Sequence, residues 1–231
     1  DAQTYRLYGL EPFSIKAEAA IWLDLVVPDD RKVVLTAIEN GRHGPQTRHE
    51  LEYRLQWPNG EVHTLSCIFH VTFDVDGKAI RLTGVQLDIT ERKLSEERIL
   101  HMATHDGLTG LANRVLLSDR LQQAIAVAQR DPRMIALLFI DLDHFKQIND
   151  TLGHSMGDEL LKHVGEKIST LMRQSDTLAR IGGDEFIVLL PSIRWQGESI
   201  AVAQKIIAAL DEEIVIDGVS FNISPSIGIS I

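Results

Sequence analysis

Two short acidic segments carry the residue types that could do chemistry. The first is Phe139-Ile-Asp-Leu-Asp-His-Phe-Lys-Gln-Ile-Asn-Asp150. Asp141 follows the apolar run Met134–Ile140, and Asp143 stands two residues on. If the strand continues, side chains two apart share a face, so both carboxylates can point the same way. Carboxylates at a strand end, with strand carbonyls nearby, suit a hard cation such as Mg²⁺. The turn that follows exposes N–H groups, and Lys146 adds a positive charge, a combination able to hold a triphosphate. Taken alone, the ordinary reading is that Asp141 and Asp143 merely end a strand. The second segment is Gly182-Gly-Asp-Glu-Phe186, which joins the apolar runs Thr177–Ile181 and Phe186–Leu190 and so sits at a hairpin tip. Two glycines permit positive φ and close approach of a ligand to the backbone. Asp184 and Glu185 at such a tip repel each other unless a cation or a proton lies between them. An ordinary acidic turn would read the same in isolation. Together, about 40 residues apart and both at the ends of buried strands, the two segments outline two-metal nucleotidyl transfer.

The elements that must position these groups are legible as patterns. After residue 106 the pattern is βα. Met134–Ile140 is continuously apolar, as in a strand buried on both faces. Leu160, Leu161, Val164, Ile168, Leu171 and Met172 recur at helical spacing. Phe186–Leu190 reads as a strand ended by Pro191, and Ile200–Leu210 as a helix. Ile214–Ile216 and Val219–Ile231 flank an Asp217-Gly218 turn. Helices packed on a sheet follow.

Residues 48–89 differ. Leu51, Tyr53 and Leu55 alternate with polar neighbours, as do Leu65, Cys67, Phe69 and Val71, and then Val85, Leu87 and Ile89. Period two means a sheet with one face buried. Pro58-Asn59-Gly60 and Asp76-Gly77 supply the tight turns, giving a three-strand antiparallel meander. Val27-Pro28-Asp29-Asp30-Arg31 reads as a helix start, with Pro and acids in the first turn. From Thr90 to His105 the chain is charged and free of Pro and Gly, and Thr90 is a fair N-cap. Leu94, Ile99, Leu100, Met102 and Ala103 form an imperfect apolar stripe. The expectation is a helix joining two domains, read as a dimeric coiled-coil linker rather than a plain solvated helix.

The chain has 231 residues, 44% hydrophobic and 24% charged, and can bury one or two cores without staples. The net charge of −10 disfavours a broad basic surface for a nucleic-acid polymer. One cysteine excludes an internal disulfide and a Cys-rich zinc site. No apolar run approaches the roughly 20 residues that cross a bilayer. There is no Met at position 1, so the expectation is a fragment, with any membrane anchor of the parent lying outside it. A cytoplasmic place, or the cytoplasmic side of an inner membrane, is expected.

Two resemblances follow. Tyr5-Arg-Leu-Tyr-Gly9, Val27–Arg31, the meander and Asp88-Ile-Thr-Glu-Arg92 resemble a PAS sensor domain with its PAC segment, N-terminally incomplete. Its ligand is not readable; His43, His49, His63 and His70 are read as ordinary histidines rather than haem ligands. His105-Asp-Gly-Leu-Thr-Gly-Leu-Ala-Asn-Arg114, the Asp141–Asp150 segment, Gly153-His154, Gly157-Asp158 and Gly182–Phe186 resemble the GGDEF diguanylate cyclase pattern in order and spacing. The implied fold is α+β: an antiparallel-sheet PAS domain over 1–90, a linker helix over 91–105, and a palm-like, nucleotide-cyclase-like GGDEF domain over 106–231.

The GGDEF resemblance implies condensation of two GTP to cyclic di-GMP, with Mg (or Mn) as cofactor. Asp141, Asp184 and the Leu142 carbonyl look like metal ligands. Lys146 resembles the residue that stabilises phosphate in the transition state. Asn149 and Asp158 resemble guanine readers, His154 their neighbour, and Phe145, Gly182 and Gly183 fall with the substrate-binding positions. Asp184 is similar to the residue assigned as base, although a metal ligand is a poor base; Glu185 could share either duty, and the sequence leaves this open. Each domain holds one GTP, so the resemblance implies a homodimer, through PAS and linker. Arg173-Gln-Ser-Asp176 matches the family's RxxD inhibitory product site. The resemblance also implies about one more helix and strand past Ile231, with a Lys and an Arg for the phosphates. A fragment ending there is expected to bind nucleotide weakly or to be inactive. The alternative is a GTP- or cyclic di-GMP-binding regulatory domain without cyclase activity, controlling a following EAL phosphodiesterase domain.

Overall fold

The computed structural model describes residues 1–14, 19–43, 48–77, 79–131 and 133–231. The side chain of His43 lies outside the described residues. The chain divides into two compact units, Asp1–Arg98 and Ile99–Ile231.

The first unit contains α1 (Ala2–Leu7), α2 (Ala19–Leu25), α3 (Pro28–His43), β1 (Arg48–Gln56), β2 (Val62–Phe73), β3 (Ala79–Asp88) and the start of α4 (Thr90–Thr104). The strands form one antiparallel sheet in the order β1-β2-β3. The alternation read in β1 and β2 is the pleat: Tyr53, Leu55, Leu65, Cys67, Phe69 and Val71 are buried and pack with Val26 and Val34. On β3 the expected phase is reversed: Val85 and Leu87 are exposed, because the register pairs Gln86 with buried Cys67 and Gln86 bonds the Tyr8 and Tyr53 hydroxyls. Gly60 (φ 92°) and Gly77 (φ 79°) take the positive φ that the two turns need. α3 begins at the expected proline. Its Asp30 carboxylate takes a bidentate pair from Arg54 on β1, at 2.9 Å from Nε and 2.8 Å from Nη2, which fastens helix to sheet.

The start of α4 corrects one expectation. Thr90 is its first helical residue and Asp88 does the capping: Asp88 Oδ1 accepts from Thr90 N at 2.9 Å. The Thr90 hydroxyl oxygen instead accepts from Thr64 N at 2.8 Å, while His63 Nδ1 lies 2.8 Å from Asp88 Oδ2. The helix start is thereby fixed to β2. No residue of α4 is buried, and Leu94, Ile99, Leu100 and Met102 are exposed.

The second unit adds α5 (Arg114–Ala128), β4 (Met134–Leu142), α6 (Phe145–Leu152), α7 (His154–Ser169), β5 (Thr177–Gly182), β6 (Glu185–Ile193), α8 (Gly197–Leu210), β7 (Ile214–Ile216), β8 (Val219–Phe221) and β9 (Pro225–Ser230). Its main sheet runs β5-β6-β4-β9, antiparallel throughout. One face, through Ala136, Leu138, Ile140, Leu142, Phe186 and Val188, packs on the apolar stripes of α7 and α8. The other carries α5 through Leu117 against Ala179 and Leu189. The fold is α+β.

Three local expectations change. β4 is not buried on both faces, because α5 covers only part of the second one and Phe139 is 48% exposed. β6 runs through Pro191 instead of ending there. Pro191 falls where the register shifts opposite Met134–Ala136, a place that asks for no ladder N–H. The run Val219–Ile231 is two strands, not one. β8 closes a small hairpin with β7, and β9 crosses to the main sheet beside β4. Among the described residues no helix is long and apolar enough to cross a membrane.

Candidate active site

β4 delivers Asp141 to the sheet edge where β6 begins, and the two strands pair Asp141 with Glu185. Asp184 stands beside Glu185 on the β5–β6 turn. The backbone makes this turn with Gly182 at φ 152° and Gly183 at φ 55°. The three acids form one field. The Asp141 carboxyl is pushed up from its ordinary value, first by desolvation and then by the charges of Asp184, Glu185 and Asp143. A cation or a shared proton would relieve that repulsion. Among the described residues no three His, Cys, Asp or Glu side chains are grouped to hold a metal by themselves. A hard cation here would therefore draw on Asp141, an acid of the hairpin tip, main-chain carbonyl oxygen and oxygens of a bound phosphate.

Asp143 adds its charge to this field, but its carboxylate is engaged elsewhere and is not a second ligand beside Asp141. Its carboxylate accepts from Ser226 Oγ at 2.8 Å and Ser224 Oγ at 2.9 Å, while Asp143 N donates to Ser224 O at 2.9 Å. Those hydroxyls, Ser226 first, hold its carboxyl below the usual range. Asp143 thus ties the exit of β4 to the start of β9.

His144 follows with φ 62°, a left-handed residue that turns the strand straight into α6. This sets Lys146 in the first turn of α6, exposed, just past the acids. Phe145 is buried in the main core. Asn149, one turn on, is half-buried, and its Oδ1 is sealed from solvent without a hydrogen-bond partner. Gly157 of α7 makes room for it: a Cβ there would run into Asn149 Oδ1. His154 and Asp158 are exposed on the same N-terminal stretch of α7. A groove of about 740 Å³ borders Asp141 and Glu185 on the α5 side, lined also by Arg114, Phe139 and Ser226; Lys146, Asn149, His154 and Asp158 do not line it.

A latch that sequence reasoning missed holds the hairpin. Arg180 donates from Nε (3.0 Å) and Nη2 (2.8 Å) to the Gly183 carbonyl, and from Nη1 to Asp106 Oδ1 at 2.8 Å. Asp106 also caps the turn before α5, accepting from Thr109 N at 2.9 Å and Oγ1 at 2.7 Å. Burial alone would raise its carboxyl, but the bonds from Thr109 and Arg180 outweigh that and lower it. A lone Arg in the otherwise apolar run of β5 was the available signal. Arg173 and Asp176 lie apart from the acids, on one turn between α7 and β5: Arg173 N donates to Asp176 Oδ2 at 3.0 Å.

Comparison with known proteins agrees with this arrangement. The family described as "Diguanylate cyclase, GGDEF domain" matches residues 103–231, and that described as "PAS fold" matches 1–86. The uncharacterized protein y4lL of Sinorhizobium fredii is 36% identical over 219 residues, covering 90% of this chain and 26% of that protein. Diguanylate cyclase TpbB of Pseudomonas aeruginosa is 39% identical over 149 residues, covering 63% of this chain and 34% of that protein. The crystal structure of the coiled coil and GGDEF domain of DgcB from Caulobacter crescentus, in complex with c-di-GMP, superposes with a TM-score of 0.56 at 29% identity, covering 61% of this chain and 75% of that one. The chain thus spans about a quarter to a third of the length of these two curated relatives. With an acidic Gly-Gly hairpin beside a strand-end aspartate, and family matches over both units, the chain belongs to the GGDEF diguanylate cyclase family and carries a PAS fold in its N-terminal part.

Proposed function

We propose that the parent protein condenses two GTP to cyclic di-GMP and two pyrophosphates, with 106–231 as catalytic domain, 91–105 as linker helix and 1–90 as PAS control domain. The observation that carries this reading is the cross-strand pairing of Asp141 with Glu185, with Asp184 at the adjoining tip. These acids repel one another, as groups do that are built to share a cation. GGDEF cyclases typically use Mg; Asp141, Asp184 and the Leu142 carbonyl would hold it, and the ion would offset charge on the reacting phosphate.

The chain's own groups then divide the remaining work. Lys146 offsets phosphate charge from the start of α6. Asp184 or Glu185 accepts the proton of the attacking 3′-hydroxyl. Asn149 and Asp158 read the guanine edge, a role supported by Asn149 lying against Gly157, next to Asp158. His154, Phe145, Gly182 and Gly183 shape the same site. Each 3′-oxygen attacks the other nucleotide's α-phosphate, so two domains must face each other; the exposed apolar residues of α4 supply a contact for such a homodimer. Arg173 and Asp176 form the inhibitory product site. GTP as substrate places the reaction in the cytoplasm or at the cytoplasmic side of the inner membrane.

The test is incubation of the full-length protein with GTP and Mg²⁺, beside Asp184→Asn and Glu185→Gln variants. Cyclic di-GMP from the wild type, lost in the variants, is the expected result. Bound GTP without product would instead make the domain a regulatory nucleotide sensor.

A further inference from the structure

Trp195 lies in the connection between β6 and α8 and is 64% exposed. Leaving an indole in water forgoes the burial that its large apolar surface would gain. The ring is nevertheless seated. A Cβ at Gly197 would fall among the atoms of its six-membered ring, so the indole rests against the backbone at the start of α8. Only glycine leaves that seat open.

The same turn meets the Arg173–Asp176 turn through one carboxylate. Glu198 Oε1 accepts from Arg194 N at 3.0 Å, and Glu198 Oε2 lies 3.9 Å from Arg173 Nη1. Glu198 N in turn donates to Trp195 O at 3.1 Å. The Arg173 side chain is 70% exposed and so remains available to a ligand. An exposed aromatic ring, an exposed guanidinium and the Asp176 carboxylate thus stand on two turns that the Glu198 carboxylate joins.

We propose that Trp195 is the stacking platform for one purine of the cyclic dinucleotide that Arg173 and Asp176 hold. The inference rests on reading that turn as the product site. Cyclic di-GMP presents two guanines and two phosphates. Arg173 can grip phosphate or a guanine edge, and Asp176 can accept from guanine N–H groups. These two side chains account for one base and the phosphates. The second base needs a partner for its π-face, and a rigid indole provides one without regard to base identity. Arg173 and Asp176 therefore set the choice of guanine, and Trp195 adds affinity.

Calorimetric titration of the full chain with cyclic di-GMP, without GTP, tests this on the wild type and the R173A, W195A and W195F variants. R173A is expected to lose binding. W195A is expected to bind on the order of tenfold more weakly, while W195F, which keeps an aromatic face, stays within about threefold of wild type. Cyclic di-GMP should quench tryptophan emission in the wild type, and the quench should vanish in W195F although it still binds. A W195A affinity within about twofold of wild type, or a quench that persists in W195F, overturns the inference if R173A has lost binding. Wild-type affinity in R173A instead overturns the product-site reading, and this inference with it. Should W195A fail to fold, the W195F quench alone decides.

Discussion

Arg180 reaches from the Asp106 carboxylate, 2.8 Å from its Nη1, to the carbonyl of Gly183 at the tip of the acidic hairpin. One side chain thus joins the turn before α5 to the glycine that precedes Asp184. Its guanidinium matches both acceptors with separate N–H groups, a geometry that lysine cannot copy. The segment that follows α4 and the backbone that presents the acids are consequently one mechanical piece.

Removing either partner should cost stability and activity together. The Arg180 and Asp106 side chains are 10% and 19% exposed, so the partner left behind stays mostly desolvated. Arg180→Ala or Asp106→Ala should destabilise the second unit by about 2 kcal/mol. Urea unfolding checks this. Arg180→Lys should recover part of the stability but not the full activity, because one ammonium cannot hold the carboxylate and the carbonyl in the same way.

The same pair should make stability depend on acid. The Asp106 carboxyl is lowered in the folded chain, so its contribution is complete above the ordinary carboxylate pKa of about 3.9 and is lost as pH falls through the lower folded value. Unfolding of wild type and Asp106→Asn, compared from neutral pH downward, should show a gap that is constant above about pH 5 and closes below about pH 4. A gap that widened on acidification would contradict the assignment.

Asp143 should matter for catalysis more than for folding. It is tied to Ser224 and Ser226 and lies next to the strand end that presents Asp141. Replacing both serines by alanine frees the β4 exit and lets Asp141 drift. Misplacement on the order of 1 Å can cost about a hundredfold in rate. Turnover at saturating GTP should therefore drop well beyond any change in melting temperature. Equal losses in the two would reduce Asp143 to a structural staple.

Gly157 should report on the proposed nucleotide site. Alanine there would displace the Asn149 side chain, because the new Cβ meets its Oδ1. Overpacking of this kind costs about 1–3 kcal/mol. The functional outcome should be a raised KM for GTP, with the melting temperature lowered only modestly.

The sequence alone determined much of this protein. Local period and turn chemistry set the β1–β2–β3 meander, the start of α3 at Pro28 and the length of α4. The motif residues identified the GGDEF unit, because a Gly-Gly acidic tip and a strand-end aspartate are demands of backbone and charge that local sequence must meet. Only the tertiary structure decided the rest, since it depended on which distant segments meet. Asp143 could have faced a cation, and Ser224 and Ser226, some 80 residues on, claim it instead. Thr90 had the residue type of a cap, but the Asp88 carboxylate accepts its N–H from outside the helix, and the Thr90 hydroxyl oxygen accepts from Thr64 N. Pro191 should have stopped a strand, and a register shift across β4 let it stay. The Asp106–Arg180 contact spans 74 positions, which no periodicity encodes. The physical reason is common to all four: propensity and pattern act within a few residues, whereas strand register and hydrogen-bond partners depend on which segments folding brings together.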